Sequence, residues 1–127
     1  MVDPIVPVSW GELLDKISIL EIKRLRLRAP GAVANADAEL AALRPVVEGV
    51  AAVGLQELQN ALAAVNQRLW TIEARIREKE AAGDFGAEFV ALARSVYREN
   101  DERGRIKRAI NTLLGSGLVE EKQYSVY

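Results

Sequence analysis

The chain contains no cysteine and no histidine among its 127 residues. Without cysteine, disulfide bonds, thiolate nucleophiles and cysteine-type zinc sites are all excluded. Without histidine, the commonest general base and transition-metal ligand is missing, so any chemistry has to use Asp, Glu, Lys, Arg or Tyr side chains. We therefore expect neither a metal site nor a cofactor.

The chain also lacks an excess of charge of either sign and lacks long apolar runs. It carries 17 basic and 18 acidic side chains, a net charge of −1, which gives no field to steer it onto nucleic acid or anionic lipid. No apolar run approaches the roughly 20 residues that a membrane span needs. The first ten residues do not have the pattern of a secretory signal. These absences predict a soluble, cytoplasmic protein that binds neither nucleic acid nor membranes.

Apolar residues make up 50% of the sequence, enough for one domain over residues 1–127. Their spacing predicts four helices: 10–28, 35–50, 55–82 and a last one that Asp84 caps and that ends near Leu114. Gly83 is expected as the left-handed residue after the third helix. Because the turns are short, the predicted fold is all-α: an antiparallel helical bundle with a long hairpin of helices 3 and 4.

Local signals refine the ends of these elements. Ser9 and Glu12 have the spacing of a capping box at the start of the first helix. Pro45 predicts a kink or short break in the second helix. The first eight residues contain two prolines and read as an extended segment. We expect residues 5–8 to be ordered and covered by apolar residues of the tail: Leu118, Val119, Tyr124 and Val126. Whether the two termini also pair as two short strands is left open by the sequence.

The first helix is apolar on two sides. One face carries five large apolar side chains, and Ile19 and Ile22 point the other way. Such a helix either lies at the centre of a bundle or is covered by a second subunit. The residues of the first face are Trp10, Leu13, Leu14, Ile17 and Leu20.

Polar residues interrupt the apolar faces of the two long helices. Along helix 3, one line of side chains recurs at spacings of four, three, four and three: Asn66, Trp70, Glu73, Arg77 and Glu80. On helix 4, Arg103 lies at the centre of the apolar face, with Asn100 and Lys107 beside it. These groups are expected to face inward, toward Glu21 and Glu73. A buried charge without a partner costs several kcal/mol, so a partner is required.

Two interpretations of this polar cluster remain open. In the first, it is a buried network of ion pairs that fixes the helix register, with Glu21 or Glu73 as the partner of Arg103. In the second, it lines a pocket for an anionic ligand, because arginine binds carboxylate or phosphate with two parallel hydrogen bonds. The candidate pocket residues are Arg103, Lys107, Arg77, Glu21, Glu73, Asn66 and Asn100.

Four stretches of the sequence resemble a family of small bacterial all-helical proteins of unknown function. They are PVSWGELLDKISILEIK, VNQRLWTIEARIREKE, GDFGAEFVALARSVYRENDERGRIKRAIN and LLGSGLVEEKQY. The resemblance covers most of the chain apart from residues 30–58. It implies a bacterial cytoplasmic helical protein and supplies no catalytic residues. Members of this family are sometimes encoded near glycosyltransferase genes, which implies a role beside glycan-related enzymes.

Two functions follow as hypotheses. The first is a non-catalytic binding or assembly module, a homodimer accessory to glycan-related enzymes. It rests on the two-sided first helix and on the absence of a catalytic motif. The alternative is a small helical enzyme, mutase-like, that holds an anionic metabolite between Arg, Lys and Glu side chains and needs no histidine.

Overall fold

The computed structural model describes residues 1–125, which form four α-helices and no strand. The helices are α1 (Trp10–Arg26), α2 (Pro30–Val47), α3 (Leu55–Ala81) and α4 (Ala87–Leu114). The all-α class and the hairpin of the two long helices are thus confirmed, since α3 and α4 pack along each other.

The expected pairing of the termini was wrong for the residues that the structure describes. Ile5 is fully exposed and Val6 is two-thirds exposed, so the tail does not cover them. The prolines at positions 4 and 7 explain the difference, because proline has no backbone N–H to donate to a strand ladder. Val126 lies outside the described residues.

Helix α1 begins as the sequence predicts, but only half of the capping box forms. Ser9 Oγ accepts a hydrogen bond from the Glu12 N–H at 3.1 Å. The Glu12 carboxylate, however, binds Lys107 Nζ at 2.7 Å. Glu12 therefore contributes to a contact between α1 and α4 and not to the capping box.

Helix α2 begins five residues before the predicted start. Pro30 occupies its first turn, where the missing N–H costs nothing and the fixed φ favours the helix. Pro45 lies inside the helix, which continues past it to Val47. The sequence pattern missed the early start because residues 30–34 carry almost no apolar periodicity.

The turn between α3 and α4 is only partly as predicted. Gly83 has a φ of 64°, the left-handed conformation expected after a helix. Asp84 is not the N-cap of α4, because the helix begins at Ala87 with Gly86 as its cap residue. The Asp84 carboxylate instead accepts a hydrogen bond from the Gly86 N–H at 3.2 Å, inside the turn.

Helix α1 lies at the centre of the fold, between α2 and the α3/α4 hairpin. Its Leu13, Ile17 and Leu20 pack with Ala36 and Leu40 of α2. On its other side, Leu14 joins a second apolar cluster with residues of the hairpin: Leu55, Leu62, Val65, Ile106 and Ile110. Of the two residues predicted to form the second apolar side of α1, Ile22 is buried and Ile19 is only partly buried. The cover of this side by a second subunit stays a prediction.

The hairpin has two faces, and α1 lies on only one of them. The opposite face is closed by ion pairs between the helices, such as Arg68 with Glu99 at 2.9 Å and Lys79 with Glu88 at 2.8 Å. Helix α1 has 17 residues and α3 has 27, so the hairpin extends beyond the part that α1 covers. We call residues 71–99 the distal arm and the α1-covered remainder of the hairpin the base.

Candidate functional site

Arg103 binds a carboxylate that the sequence did not single out, that of Asp15 on α1. Its Nε donates to Asp15 Oδ1 at 2.9 Å, and Nη2 binds Oδ2. The Asp15 side chain is 1% exposed and that of Arg103 is 27% exposed. This two-point geometry is the strongest form of an arginine–carboxylate pair.

Three further side chains complete the network around Asp15. Asn66 Nδ2 donates to Asp15 Oδ1 at 3.0 Å and contacts Ser18 Oγ at 3.2 Å. Lys107 Nζ lies 3.7 Å from Asp15 Oδ2 and also binds Glu12 and Glu120. In the described part of the chain, every buried side-chain nitrogen and oxygen has a hydrogen-bond partner. The buried charge is thus compensated without a ligand.

The network holds its two cations in the charged form. Burial lowers the pKa of Lys107, but its hydrogen bond to Glu12 and the charges of Asp15, Glu12 and Glu120 outweigh burial, so the pKa lies above the ordinary value. The hydrogen bond to Asp15 likewise raises the pKa of Arg103. Neither group is suited to act as a proton acceptor near neutral pH.

Gly11 allows α1 to approach α4 closely enough for these contacts. Its N–H donates to Asn111 Oδ1 at 2.7 Å, and the neighbouring Trp10 N–H donates to Ser116 Oγ at 2.9 Å. A Cβ at position 11 would lie 2.4 Å from the backbone oxygen of Lys107. Only glycine therefore fits this crossing.

The structure brings four of the seven candidate pocket residues to one groove of about 400 Å³, where α1 leaves the hairpin. They are Asn66, Glu73, Arg77 and Arg103. The apolar part of this groove comes from Ile19, Leu69, Trp70 and Ala74. The groove is therefore lined by both apolar and charged side chains.

The other three candidates lie elsewhere. Lys107 lines a separate cavity of about 260 Å³ between α4 and the C-terminal segment. Asn100 lines a third cavity beside Tyr97, between α4 and the C-terminal segment. Glu21 is exposed and lies 3.5 Å from Arg44 of α2.

The expected acidic partner of Arg103 was wrong. Glu73 is half exposed and lies 3.8 Å from Arg77 on its own helix, and Glu21 faces α2. Asp15 was missed because it lies between the apolar residues that define the first face of α1. The sequence did contain a signal for a buried position at Asp15. Four residues of α1 that are all buried recur at spacings of four, three and four: Gly11, Asp15, Ser18 and Ile22.

Among the described residues, no group of three or more acidic side chains is placed to hold a metal ion. None of the helices has the length and apolarity to cross a membrane, over the same residues. Comparison with models of known protein families, with curated proteins and with solved structures finds no match for this chain.

Proposed function

We propose that the protein is a non-catalytic assembly module that forms a homodimer through its distal arm. One observation carries this proposal: none of residues 71–99, all of which the structure describes, is buried. Five apolar side chains of the arm, on the stripes along which α3 and α4 meet, are only partly buried: Ile72, Ile76, Phe89, Leu92 and Val96. A two-helix layer cannot bury such side chains by itself, and four helices can.

Further apolar side chains of the arm are open to solvent. Phe85 is 56% exposed, Val90 51% and Tyr97 38%. Large apolar side chains exposed on one part of a protein surface are a feature of protein–protein contact sites. Two copies of the arm packed face to face would make a four-helix bundle and cover this surface.

The polar cluster favours an assembly function over catalysis. Arg103 and Lys107 are held by Asp15, Glu12 and Glu120, so an incoming anion would compete with carboxylates already in place. The raised pKa of each cation removes it as a base. The mutase-like alternative would require thermal stabilisation by anionic metabolites that is lost in Arg103→Met. A role beside glycan-related enzymes rests on the family resemblance alone.

Sedimentation equilibrium from nanomolar to high micromolar concentration tests the dimer. We expect a reversible monomer–dimer equilibrium that Val90→Glu weakens about tenfold or more, because it places a charge in the contact. Val46→Glu is the matched control, since Val46 is 54% exposed on α2, away from the arm. A wild-type protein that stays monomeric over the whole range contradicts the proposal.

A further inference from the structure

We infer that the occupant of the groove is the distal arm of a second copy, packed antiparallel with its two-fold axis level with Arg75. This inference rests on the proposed function and specifies its contact. It starts from the face of the hairpin on which α1 lies, which continues beyond α1 into the arm. We call that continuation the open face.

Both long helices carry a stripe of residues along the open face. On α3 the stripe is the line Trp70, Glu73, Arg77 and Glu80, which continues from Asn66 under α1. On α4 it consists of residues spaced three, four, three and four apart: Val90, Ala93, Tyr97, Asn100 and Gly104. On each helix this stripe is displaced by one residue from the apolar stripe that faces the other long helix. Because one residue advances a helix by about 100°, the two stripes lie about 100° apart around the helix.

Helix α4 therefore carries residues suited to helix contacts on two sides. One heptad-like stripe lies toward α3: Phe89, Leu92, Val96, Ile106 and Ile110. The second stripe, displaced by one residue, contains no charged side chain from position 90 to position 100. A helix in a two-helix hairpin needs only the first of these stripes, whereas a helix in a four-helix bundle needs both.

The base shows that this face accepts a helix. There α1 fills it, with Asp15 bound to Asn66 on α3 and to Arg103 on α4. Ile19 is the residue of α1 that lines the groove of about 400 Å³, next to Trp70. Beyond Ile19 helix α1 no longer covers this face along α3, whereas Lys122 and Tyr124 of the C-terminal segment lie beside the α4 residues 97–104. The groove is therefore the place where α1 ends and another helix can begin.

The charges of the open face favour a second copy of the chain as the occupant of the groove. In a two-fold contact, each pair of facing residues occurs twice, the second time with the two copies exchanged. Glu73 and Arg77 are exposed and lie one turn apart on α3. An antiparallel α3–α3 contact centred between them, level with Arg75, places Glu73 of each copy opposite Arg77 of the other. The open face is therefore complementary to itself.

The same axis also covers the exposed aromatic side chains. The ion pairs between the two helices join Arg68 to Glu99, Lys79 to Glu88 and Arg75 to Glu88, so residue numbers at one level of the hairpin sum to about 163–167. Arg75 is thus level with residues 88–92 on α4. A two-fold axis there brings Phe85 of one copy close to Tyr97 of the other, and the tip of the arm to the groove beside Trp70.

The size of this contact predicts a reversible dimer. An open face of two helices over residues 70–83 measures roughly 20 Å by 20 Å, from about 10 Å per helix and 1.5 Å per residue. Two such faces bury on the order of 800 Å², the size of a weak and transient interface. We therefore expect association in the micromolar range that depends on each matched charge.

Charge reversal tests the register. Glu73→Arg and Arg77→Glu each replace two attractive pairs by two repulsive ones, and we expect each to weaken the homodimer about tenfold. An equimolar mixture of the two variants restores both pairs and should form a heterodimer. The double variant Glu73→Arg/Arg77→Glu should regain wild-type association. Matched controls are Glu78→Arg and Arg94→Glu, exposed residues of the arm outside the open face.

Cross-linking gives a second test that does not depend on charge. Because the chain has no cysteine, a single introduced thiol reports on one position. Ala74→Cys lies on the open face near the proposed axis and should be captured as a dimer by a short bismaleimide. Ala91→Cys, on the outer side of α4, should not.

The outcomes separate this inference from the proposed function. A wild-type protein that remains monomeric overturns both. A dimer that Val90→Glu weakens, but in which the mixture of the two charge variants does not restore association, overturns the register and leaves the assembly function standing. Capture of Ala91→Cys in preference to Ala74→Cys overturns the open face as the contact.

Discussion

The base and the distal arm are two lengths of the same pair of helices, and they differ in what covers them. In the base, α1 and the hairpin bury Leu62 and Ile110 almost completely. In the arm, Ile76 and Leu92 occupy equivalent core positions and stay partly exposed. The apolar spacing is the same in both. A third element thus decides whether an apolar stripe becomes a core, and the length of α1 sets the boundary.

The largest contrast is expected for leucine truncations in the two regions. Leu62→Ala should lower the free energy of unfolding by about 3 kcal/mol, because it leaves a cavity in a closed core. Leu92→Ala should cost about 1 kcal/mol, since solvent already reaches its site. Urea denaturation at concentrations below dimerisation measures both values. Equal losses would mean that the arm is as well packed as the base.

The cost of Leu92→Ala should rise with protein concentration if a second copy covers the arm, whereas the cost of Leu62→Ala should not. The size of this concentration dependence measures how much the dimer contact stabilises the arm.

The next effect concerns the ion pair that joins α1 to the base. Arg103→Met should cost about 3 kcal/mol, because the fully buried Asp15 carboxylate loses its main partner. Asp15→Asn should cost less, about 2 kcal/mol, since Arg103 is partly exposed and can turn to solvent. The double variant Asp15→Leu/Arg103→Met should recover most of the loss. A double-mutant cycle without coupling would contradict the geometry of the pair.

Two glycines test how closely the elements approach. Gly11→Ala should destabilise by about 2 kcal/mol, because its Cβ would clash with a backbone oxygen that cannot move independently. Gly104→Ala should stabilise by about 0.5–1 kcal/mol through helix propensity. At that site the nearest atom is the mobile Lys122 Nζ, 3.7 Å away. Thermal denaturation of both variants checks the opposite signs.

The smallest expected effect is a dependence on alkaline pH. The pKa of Lys107 is raised in the folded state, so its contribution to stability is fully present below the unfolded pKa of about 10.4 and is lost as pH rises through the folded pKa. The free energy of unfolding should therefore decline above about pH 10.4. Lys107→Met should show a shallower decline, and an identical slope in both proteins would exclude Lys107 as the cause.

The sequence predicts what depends on periodicity and misses what depends on the third dimension. It predicts the long hairpin and Gly83, because apolar spacing and backbone conformation are local properties. It predicts that Arg103 needs an acidic partner, because its position on the apolar face requires one. It does not identify Asp15, since the choice among acidic residues on α1 depends on the angle at which that helix crosses the hairpin, and Gly11 fixes that angle.

The contacts of Trp10 and Gly11 also bear on the order of events during synthesis. The N–H groups at the start of α1 are bound by Ser116 and Asn111, which are made about 100 residues later. At 5–20 residues per second, α1 emerges roughly 5–20 s before the groups that complete its first turn exist. During that interval α2 and then α3 are the neighbours available to it. Of the four helices, α1 is thus made first and completed last, and a nascent chain that stops before Asn111 lacks both acceptors for the first turn of α1.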